Sequence, residues 1–109
     1  MWAQFIKMTI ASGHEEDLGT MLDHLRASEK PGSGHVRTYA MRDQKNPNDI
    51  YTLVIFESEE TAREREHDEA RQADLVPVRE LMGRILSAPP EFTDLTMISD
   101  WQADQPPSL

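Results

Sequence analysis

The centre of the chain carries the uninterrupted strand sequence IYTLVIF at residues 50–56. β-Branched and aromatic residues are typical of strands, and a run of them without charged residues indicates a strand with both faces buried. A strand with one face in water would instead alternate apolar and polar side chains. We therefore predict an inner strand that is covered by helices on one face and by a further layer of protein on the other.

Turn and capping signals divide the rest of the chain into elements around this strand. Residues 43–49, DQKNPND, join it to a preceding strand, and Pro89-Pro90 separates the last helix from the last strand. The predicted strands are residues 2–11, 35–42, 50–57 and 91–101, and the predicted helical regions are residues 14–29, 58–70 and 74–86. The order β-α-β-β-α-β predicts a ferredoxin-like α+β fold, with a four-stranded antiparallel sheet and helices on one face.

The helical regions are predicted from N-cap residues and from the spacing of apolar side chains. Ser12, followed by Glu15, is a capping pair for the first helix, and Ser58 is the N-cap of the second, with Thr61 in its first turn. From Asp74 the chain either continues the second helix or bends away from it. The predicted buried stripes consist of Leu18, Met21, Leu22 and Leu25 in the first helix and of Leu75, Val78, Leu81, Met82 and Ile85 in the last segment.

The composition limits the classes of protein to which the chain can belong. Its 109 residues suffice for one domain, predicted at residues 1–101 with a C-terminal tail at residues 102–109. Cysteine is absent, which excludes disulfides and thiolate chemistry, and the net charge of −9 argues against nucleic acid and membrane as partners. The N-terminal sequence MWAQFIKMTIASG lacks the features of a signal peptide, so a cytoplasmic protein is expected.

The face of the sheet that the helices leave uncovered requires a second covering layer. The simplest source of that layer is the sheet of an identical chain, related to the first by two-fold symmetry. The sequence therefore predicts a homodimer in which two four-stranded sheets face one another. Trp2 and Trp101, which begin and end the predicted sheet, are expected in the core or in this interface.

Three segments of the chain resemble one known family. They are Pro31-Gly32, the turn around Asn46-Pro47, and residues 56–60, FESEE, ahead of a helix. Together with the order of elements over residues 2–101, they are similar to the antibiotic-biosynthesis monooxygenases. Members of that family are dimeric α+β barrels, and several oxidise quinol-like or polyketide aromatics without a metal or an added cofactor. The resemblance therefore implies the same fold, a homodimer and no cofactor.

Related members of that family bind and degrade haem, using an Asn on the first strand and a Trp and a His on the second helical segment. By the resemblance, Ile6 and Arg65 occupy the Asn and Trp positions here, and the His position falls near Leu75. The first strand contains no Asn at all, so haem degradation is disfavoured. In the cofactor-free oxygenases the position of Arg65 often holds a His or Trp that faces the pocket, and Arg65 departs from that pattern too.

The second helix is unusually polar. Residues 61–70, TAREREHDEA, offer only two alanines as apolar contacts, and helical phase places Arg65 on the same side as Ala62. A helix too polar to seal the sheet can leave a wet pocket beneath it, where Arg65 would hold an anionic or phenolate oxygen. The alternative is a solvated helix with ion pairs such as Glu59–Arg63, in which Arg65 points to water and pairs with a glutamate one turn away.

The second strand places His35, Arg37, Tyr39 and Met41 on one face if it alternates regularly. Imidazole, guanidinium and phenol groups in one row can exchange protons and bind an anion or a hydroxyl group. The alternative is an edge strand whose polar side chains prevent further strand pairing. His67 is a further acid–base candidate by residue type, with a plain surface position as its alternative.

Motifs for other chemistries are missing from the sequence. No two histidines have the spacing of metal ligands, so no bound metal is predicted, and neither a Gly-rich phosphate loop nor a serine-hydrolase motif is present. Two functions remain open. The first is a cofactor-independent monooxygenase acting on a small aromatic, quinol or polyketide-like substrate, and the second is a non-catalytic dimeric barrel that binds a small molecule or serves as a structural partner. The candidate ligand-binding residues are His35, Arg37, Tyr39, Arg65 and His67.

Overall fold

A computed structural model describes residues 1–104 of the chain. Its elements are strand β1 (Trp2–Thr9), helix α1 (Asp17–Ala27), strands β2 (His35–Arg42) and β3 (Asp49–Phe56), helices α2 (Glu59–Glu66), α3 (Glu69–Asp74) and α4 (Val76–Ile85), and strand β4 (Glu91–Thr96). The strands form an antiparallel sheet in the order β2-β3-β1-β4. The predicted ferredoxin-like α+β fold is therefore confirmed.

Helix α1 begins later than predicted. Ser12 does not cap it, because the helix begins at Asp17, and Glu16 at the N-cap position makes no side-chain capping bond. The carboxylate of Glu15 instead turns back to accept a hydrogen bond of 3.1 Å from the backbone N–H of Gly13. This short-range bond stabilises a local turn in the residues that were predicted as the first helical turn, and so delays the helix.

The two helical regions predicted at residues 58–70 and 74–86 form three helices, α2, α3 and α4. The Ser58 hydroxyl accepts a hydrogen bond of 3.2 Å from the backbone N–H of Thr61, so the predicted N-cap is confirmed. Asp68 then caps α3 by accepting bonds from the backbone N–H groups of Ala70 and Arg71. A new cap starts a new helix, so the chain bends away after α2 and the helical phase of α2 does not continue into α3.

Strand β4 is shorter than predicted and ends at Thr96 instead of Trp101. Thr96 lies opposite Trp2, the first residue of β1, and beyond this pair the backbone N–H of Met97 donates a bond of 3.2 Å to the carbonyl of Met1. Ile98 and Trp101 are 95% and 75% exposed. Trp101 therefore lies outside the core of the single chain, whereas Trp2 is buried in it. Of the predicted tail, residues 105–109 lie outside the described residues.

The helices pack on one face of the sheet and form two apolar clusters with it. The larger cluster consists of Met8, Ile10, Leu18, Met21, Ile50, Leu75, Val78, Leu81 and Ile85. The smaller cluster consists of Trp2, Val54, Phe56 and Ala62. Ala62 is the single buried residue of α2. This helix thus contributes one small side chain to the core, and it covers the sheet surface beneath it only in part.

The opposite face of the sheet, here called the open face, carries apolar side chains that remain partly exposed. Cross-strand pairing places Phe5, Leu53 and Tyr39 side by side at its centre. The rings of Phe5 and Tyr51 stack with their centroids 5.6 Å apart. Tyr39 and Met41 are 44% and 46% exposed. The lack of alternation in the sequence of β3 therefore corresponds to a sheet with apolar groups on both faces.

Gly34 is the point of closest approach between the start of β2 and helix α2. Its φ of +86° lies in the left-handed region, and an added Cβ atom would stand 2.4 Å from the Cβ atom of Thr61. Gly34→Ala is therefore expected to lower the free energy of unfolding by about 2–3 kcal/mol, through backbone strain and the clash together.

Gly32→Ala is the matched control for this substitution. Gly32 has a φ of +81° but open space around it, so the change should cost only about 1 kcal/mol. Urea denaturation at neutral pH measures both variants. Equal losses would contradict the role assigned to the contact with Thr61.

Candidate functional site

A cavity of about 860 Å³ lies between the sheet and the helices. Small-molecule sites typically have roughly 300–1,000 Å³, so the space suffices for a ligand of two or three fused aromatic rings. Its apolar wall consists of Trp2, Ile6, Met8, Val54, Phe56 and Phe92 from the sheet and of Leu22, Leu25, Leu75, Val78 and Met82 from the helical side. The charged side chains on the wall come from the end of α1 and from α2, α3 and α4, with His35 contributed by β2.

Helix α2 is held over the sheet largely by two arginines, since it lacks an apolar stripe. Arg63 bonds to Asp94 of β4 at 2.8 Å, and its guanidinium lies 5.0 Å from the centre of the Trp2 ring. The guanidinium of Arg65 lies 5.0 Å from the centre of the Phe56 ring. Long arginine side chains can lie along apolar surface while their charged groups stay at its edge. Ala62 is the single buried residue of α2, and the cavity extends beneath the polar part of the helix.

Arg65 lines the cavity, and only 11% of its side chain is exposed. Its Nε and Nη2 atoms both donate to the carboxylate of Glu29, with the Nε bond 3.2 Å long. Glu29 follows the C-terminal end of α1, so the pair ties α1 to α2. Arg65 thus lies on the side that its helical phase indicates, but its carboxylate partner comes from a different part of the chain.

Two further arginines line the cavity from α3 and α4. Arg71 is 12% exposed, its Nη2 atom lies 3.9 Å from the Glu29 carboxylate, and its Nε atom has no hydrogen-bond partner within residues 1–104. Burial lowers the pKa of the Arg71 guanidinium, and the nearby charge of Arg65 lowers it further. Arg79 donates to the side-chain oxygen of Gln72, a neutral group. Arg71 was not predicted as a site residue. Because α3 begins at its own cap, Asp68, the helical phase of α2 does not indicate which way the side chains of α3 point.

His35 also lines the cavity, but without the neighbours predicted for it. A β-bulge between His35 and Arg37 shifts the register of β2 by one residue. Because of this extra residue, His35 faces the helices, while Arg37, Tyr39 and Met41 face the other side of the sheet. The single face predicted for these four side chains is therefore wrong.

The imidazole of His35 is held by contacts around the whole ring. Its Nε2 atom lies 2.7 Å from the hydroxyl of Thr38, and its Nδ1 atom lies 3.8 Å from the carboxylate of Glu29. The ring also packs edge-on against Phe56, with centroids 5.9 Å apart. Since Thr38 lines the cavity too, the pair can exchange a proton with a hydroxyl group of a bound ligand.

Thr52 places a hydroxyl group on the sheet wall of the cavity. The residue is 4% exposed, and its Oγ1 atom has no hydrogen-bond partner within residues 1–104. A buried hydroxyl without a partner costs about 1–3 kcal/mol, so a ligand oxygen would be favoured beside it. Sequence reasoning missed Thr52 because threonine in a run of β-branched residues is an ordinary strand residue.

Three of the five predicted ligand-binding residues do not line the cavity. Arg37 donates a bond of 3.1 Å to the hydroxyl of Tyr39, and both lie on the open face. His67 is exposed at the C-terminal end of α2. His35 and Arg65 are the two members of the predicted set on the cavity wall.

Within residues 1–104, no group of three or more His, Asp or Glu side chains is placed to hold a metal ion. None of the helices formed by these residues has the length and apolar composition needed to cross a bilayer.

Fold and cavity together define a ferredoxin-like α+β protein with an internal space for a small molecule. Residues 1–73 match the family described as antibiotic biosynthesis monooxygenase, and the chain belongs to this family. Among curated proteins there is no match to the sequence.

Several solved structures have a similar fold. A protein from Bordetella bronchiseptica assigned as an antibiotic biosynthesis monooxygenase has 20% identity and a TM-score of 0.69, with 90% of this chain and 98% of that chain covered. One from Nitrosomonas europaea with the same assignment has 11% identity and a TM-score of 0.72, with 91% and 100% covered. SnoaB, a cofactor-independent oxygenase from Streptomyces nogalater, has 11% identity and a TM-score of 0.69, with 95% and 98% covered. At these identities the similarity concerns the fold alone.

Proposed function

We propose that the chain is a cofactor-independent monooxygenase that oxidises a small aromatic substrate of quinol or polyketide type inside the cavity. The observation that carries the proposal is a largely apolar cavity with a histidine and a buried hydroxyl on its wall, in a member of this family. An electron-rich phenol or enol reacts with dioxygen once it is deprotonated. The protein therefore has to bind the substrate, accept its proton and exclude water. The similar fold of SnoaB supports this assignment.

The proposed net reaction converts a ring methylene group into a carbonyl. One atom of dioxygen becomes the carbonyl oxygen, and the other leaves as water with the two hydrogens of the methylene group. The substrate itself supplies the electrons, so neither a reductant nor a cofactor is required.

His35 is the proposed base for the first step. Thr38 connects the imidazole to the cavity at 2.7 Å, so a substrate hydroxyl beside Thr38 can pass its proton to Nε2. The carboxylate of Glu29 lies 3.8 Å from Nδ1, on the other side of the imidazole ring. Deprotonation turns the substrate into a carbanion. The apolar side chains of the cavity wall shield this carbanion from protonation by water.

Oxygen uptake with dithranol tests the proposal. Dithranol is an anthrone whose central methylene group is oxidised to a quinone carbonyl. With protein that has been treated with a chelator, we expect protein-dependent oxygen consumption and one isotopically labelled oxygen atom in the product when labelled dioxygen is used. Stoichiometric hydrogen peroxide, or a rate equal to spontaneous oxidation, would contradict a monooxygenase.

Filling the cavity tests where the reaction takes place. Ala40 lies on the cavity side of β2, opposite Thr52. Ala40→Trp is expected to lower the oxidation rate by about tenfold or more, because the indole ring would displace the substrate, and a misplacement of about 1 Å can cost about a hundredfold. Ala40→Ser is the matched control and should keep the wild-type rate. An unchanged rate in Ala40→Trp would show that the reaction occurs elsewhere.

A second candidate function is a non-catalytic barrel that binds a small molecule. It is favoured by Arg65, which stands where the resemblance leads one to expect a His or Trp and whose guanidinium is engaged by Glu29. Trp2 lines the cavity and reports binding through its fluorescence. Quenching by dithranol without any oxygen uptake would favour this second function.

We further propose that the chain works as a homodimer joined through the open face. The proposal rests on the partly exposed apolar groups at the centre of that face, among them Phe5, Leu53 and Tyr39. A contiguous apolar surface of this kind is typical of an interface, and two copies related by two-fold symmetry would cover each other.

A further inference from the structure

The charge on the cavity wall is opposite to the charge of the whole chain. The chain has a net charge of −9. The charged side chains that line the cavity are Arg26, Arg65, Arg71, Arg79, Glu29 and Glu66. Four arginines against two glutamates leave an excess of two positive charges in this one place. Such a concentration of cations in an acidic protein requires an explanation.

Both glutamates on the wall already have arginine partners. Glu29 accepts two hydrogen bonds from Arg65, and Glu66 accepts one of 3.0 Å from Arg63, which does not itself line the cavity. Neither carboxylate is therefore available to neutralise the remaining arginines in full. The positive charge that these pairs leave on the wall is carried by Arg26 of α1, Arg71 of α3 and Arg79 of α4.

Arg71 is a largely buried cation whose charge is only partly compensated. Its side chain is 12% exposed, yet its nearest carboxylate is 3.9 Å away and already bound by Arg65. Its Nε atom is buried and has no hydrogen-bond partner within residues 1–104. Its neighbour Arg79 bonds to the neutral side chain of Gln72, so Arg79 adds positive charge to the same region. A buried guanidinium with an unpaired donor is stabilised by any anion that reaches it.

Thr52 provides a second polar atom on the cavity wall that has no hydrogen-bond partner among the residues the structure describes. It lies on the sheet wall, whereas Arg71 lies on the helical wall. The space between these two walls is lined mainly by apolar side chains. A ligand that satisfies both groups carries an anionic group at one position and a hydroxyl or carbonyl oxygen at another, joined by an aromatic body.

We propose that Arg71, assisted by Arg79, binds a carboxylate group of the substrate, and that Thr52 hydrogen-bonds a ring oxygen. This inference rests on the proposed function, and it narrows the substrate class to hydroxylated aromatic carboxylic acids. A carboxylate is planar, and its two oxygens can accept two parallel hydrogen bonds from the N–H groups on one edge of a guanidinium. A dianionic phosphate fits less well, because the carboxylate of Glu29 lies 3.9 Å from Nη2 of Arg71 and would repel the second charge.

Naphthoate and naphthamide are matched probes for the carboxylate site. They share the ring and nearly the same shape but differ by one negative charge. Isothermal titration calorimetry should show naphthoate binding to the wild-type protein about 10- to 100-fold more tightly, the factor that a charge-assisted hydrogen bond supplies. Equal affinities, or no binding of naphthoate at millimolar concentration, would overturn the inference.

The residue assignment is tested with Arg71→Gln and a control of equal charge change. Arg71→Gln should remove the preference for naphthoate and leave the affinity for naphthamide unchanged. Arg71→Gln removes one of several like charges, so the fold should persist. Arg79→Gln should also reduce the preference for naphthoate, but by a smaller factor. Arg84→Gln is the control, because Arg84 is exposed on α4 and does not line the cavity. A loss of preference in Arg84→Gln as large as in Arg71→Gln would overturn the assignment.

Failure of this inference is separable from failure of the proposed function. Oxidation of dithranol with no preference between the two probes would leave the monooxygenase in place and overturn the carboxylate site alone. A preference for naphthoate that depends on Arg71, without oxygen uptake from any aromatic acid, would support the carboxylate site and overturn the monooxygenase.

Discussion

Leu53→Arg is expected to convert the proposed homodimer into a monomer. Leu53 stands at the centre of the open face, where Phe5 and Tyr39 flank it on the neighbouring strands. Two-fold symmetry would bring one arginine from each chain into the apolar centre of the proposed interface, where like charges repel and lose their hydration. Burying such charges should weaken association by about 1,000-fold or more, which corresponds to about 4 kcal/mol.

Light scattering at micromolar concentration measures the outcome. The wild-type protein should give the mass of two chains, and Leu53→Arg the mass of one. Leu53→Met is the control, since it keeps the volume and the apolar character and should remain dimeric. A well-folded wild-type monomer would contradict the homodimer, and a variant that keeps the wild-type mass would show that the open face is not the interface.

Glu29→Gln is expected to lower the free energy of unfolding by about 3 kcal/mol. The substitution leaves Arg65 and Arg71, which are 11% and 12% exposed, as neighbouring cations without a counter-ion. Breaking a buried ion pair by removing one partner costs about 3–5 kcal/mol. The lower end applies here, because the Glu29 side chain is 22% exposed and keeps some contact with water.

Urea denaturation of a set of variants separates the ion pair from a general effect of charge. Glu60→Gln removes the same charge from an exposed site on α2 and should change stability by less than about 0.5 kcal/mol. The double variant Glu29→Leu with Arg65→Met should recover part of the loss, because it removes both charges of this pair and leaves only Arg71 without Glu29. Additive losses in the double variant would contradict the coupling between Glu29 and Arg65.

The sequence predicted the fold well because the fold depends on local and periodic signals. The strand residues 50–56, the cap at Ser58 and the spacing of the apolar residues each specify an element without reference to the rest of the chain. Element ends were predicted less well. Helix α1 starts late because of the turn at Glu15, and β4 ends at Thr96 instead of Trp101.

The candidate site was predicted only in part. The polarity of α2 and its phase correctly indicated a space beneath the helix with Arg65 on its wall. His35 also lines that space, but it was assigned to a face with Arg37 and Tyr39 from which the bulge separates it. A bulge depends on the pairing of two strands, and no feature of a single strand reports it reliably.

The sequence by itself thus determined the order of elements, the apolar character of both sheet faces and the weak apolar contribution of α2. Only the tertiary structure decided which charges meet: it placed Glu29 against Arg65 and left Arg71 without a full partner, and within residues 1–104 it gave the Thr52 hydroxyl no hydrogen bond. The physical reason is the range of the interactions involved. Helix and strand preferences act between residues that are close in the chain, whereas ion pairing and burial depend on which distant segments packing brings together.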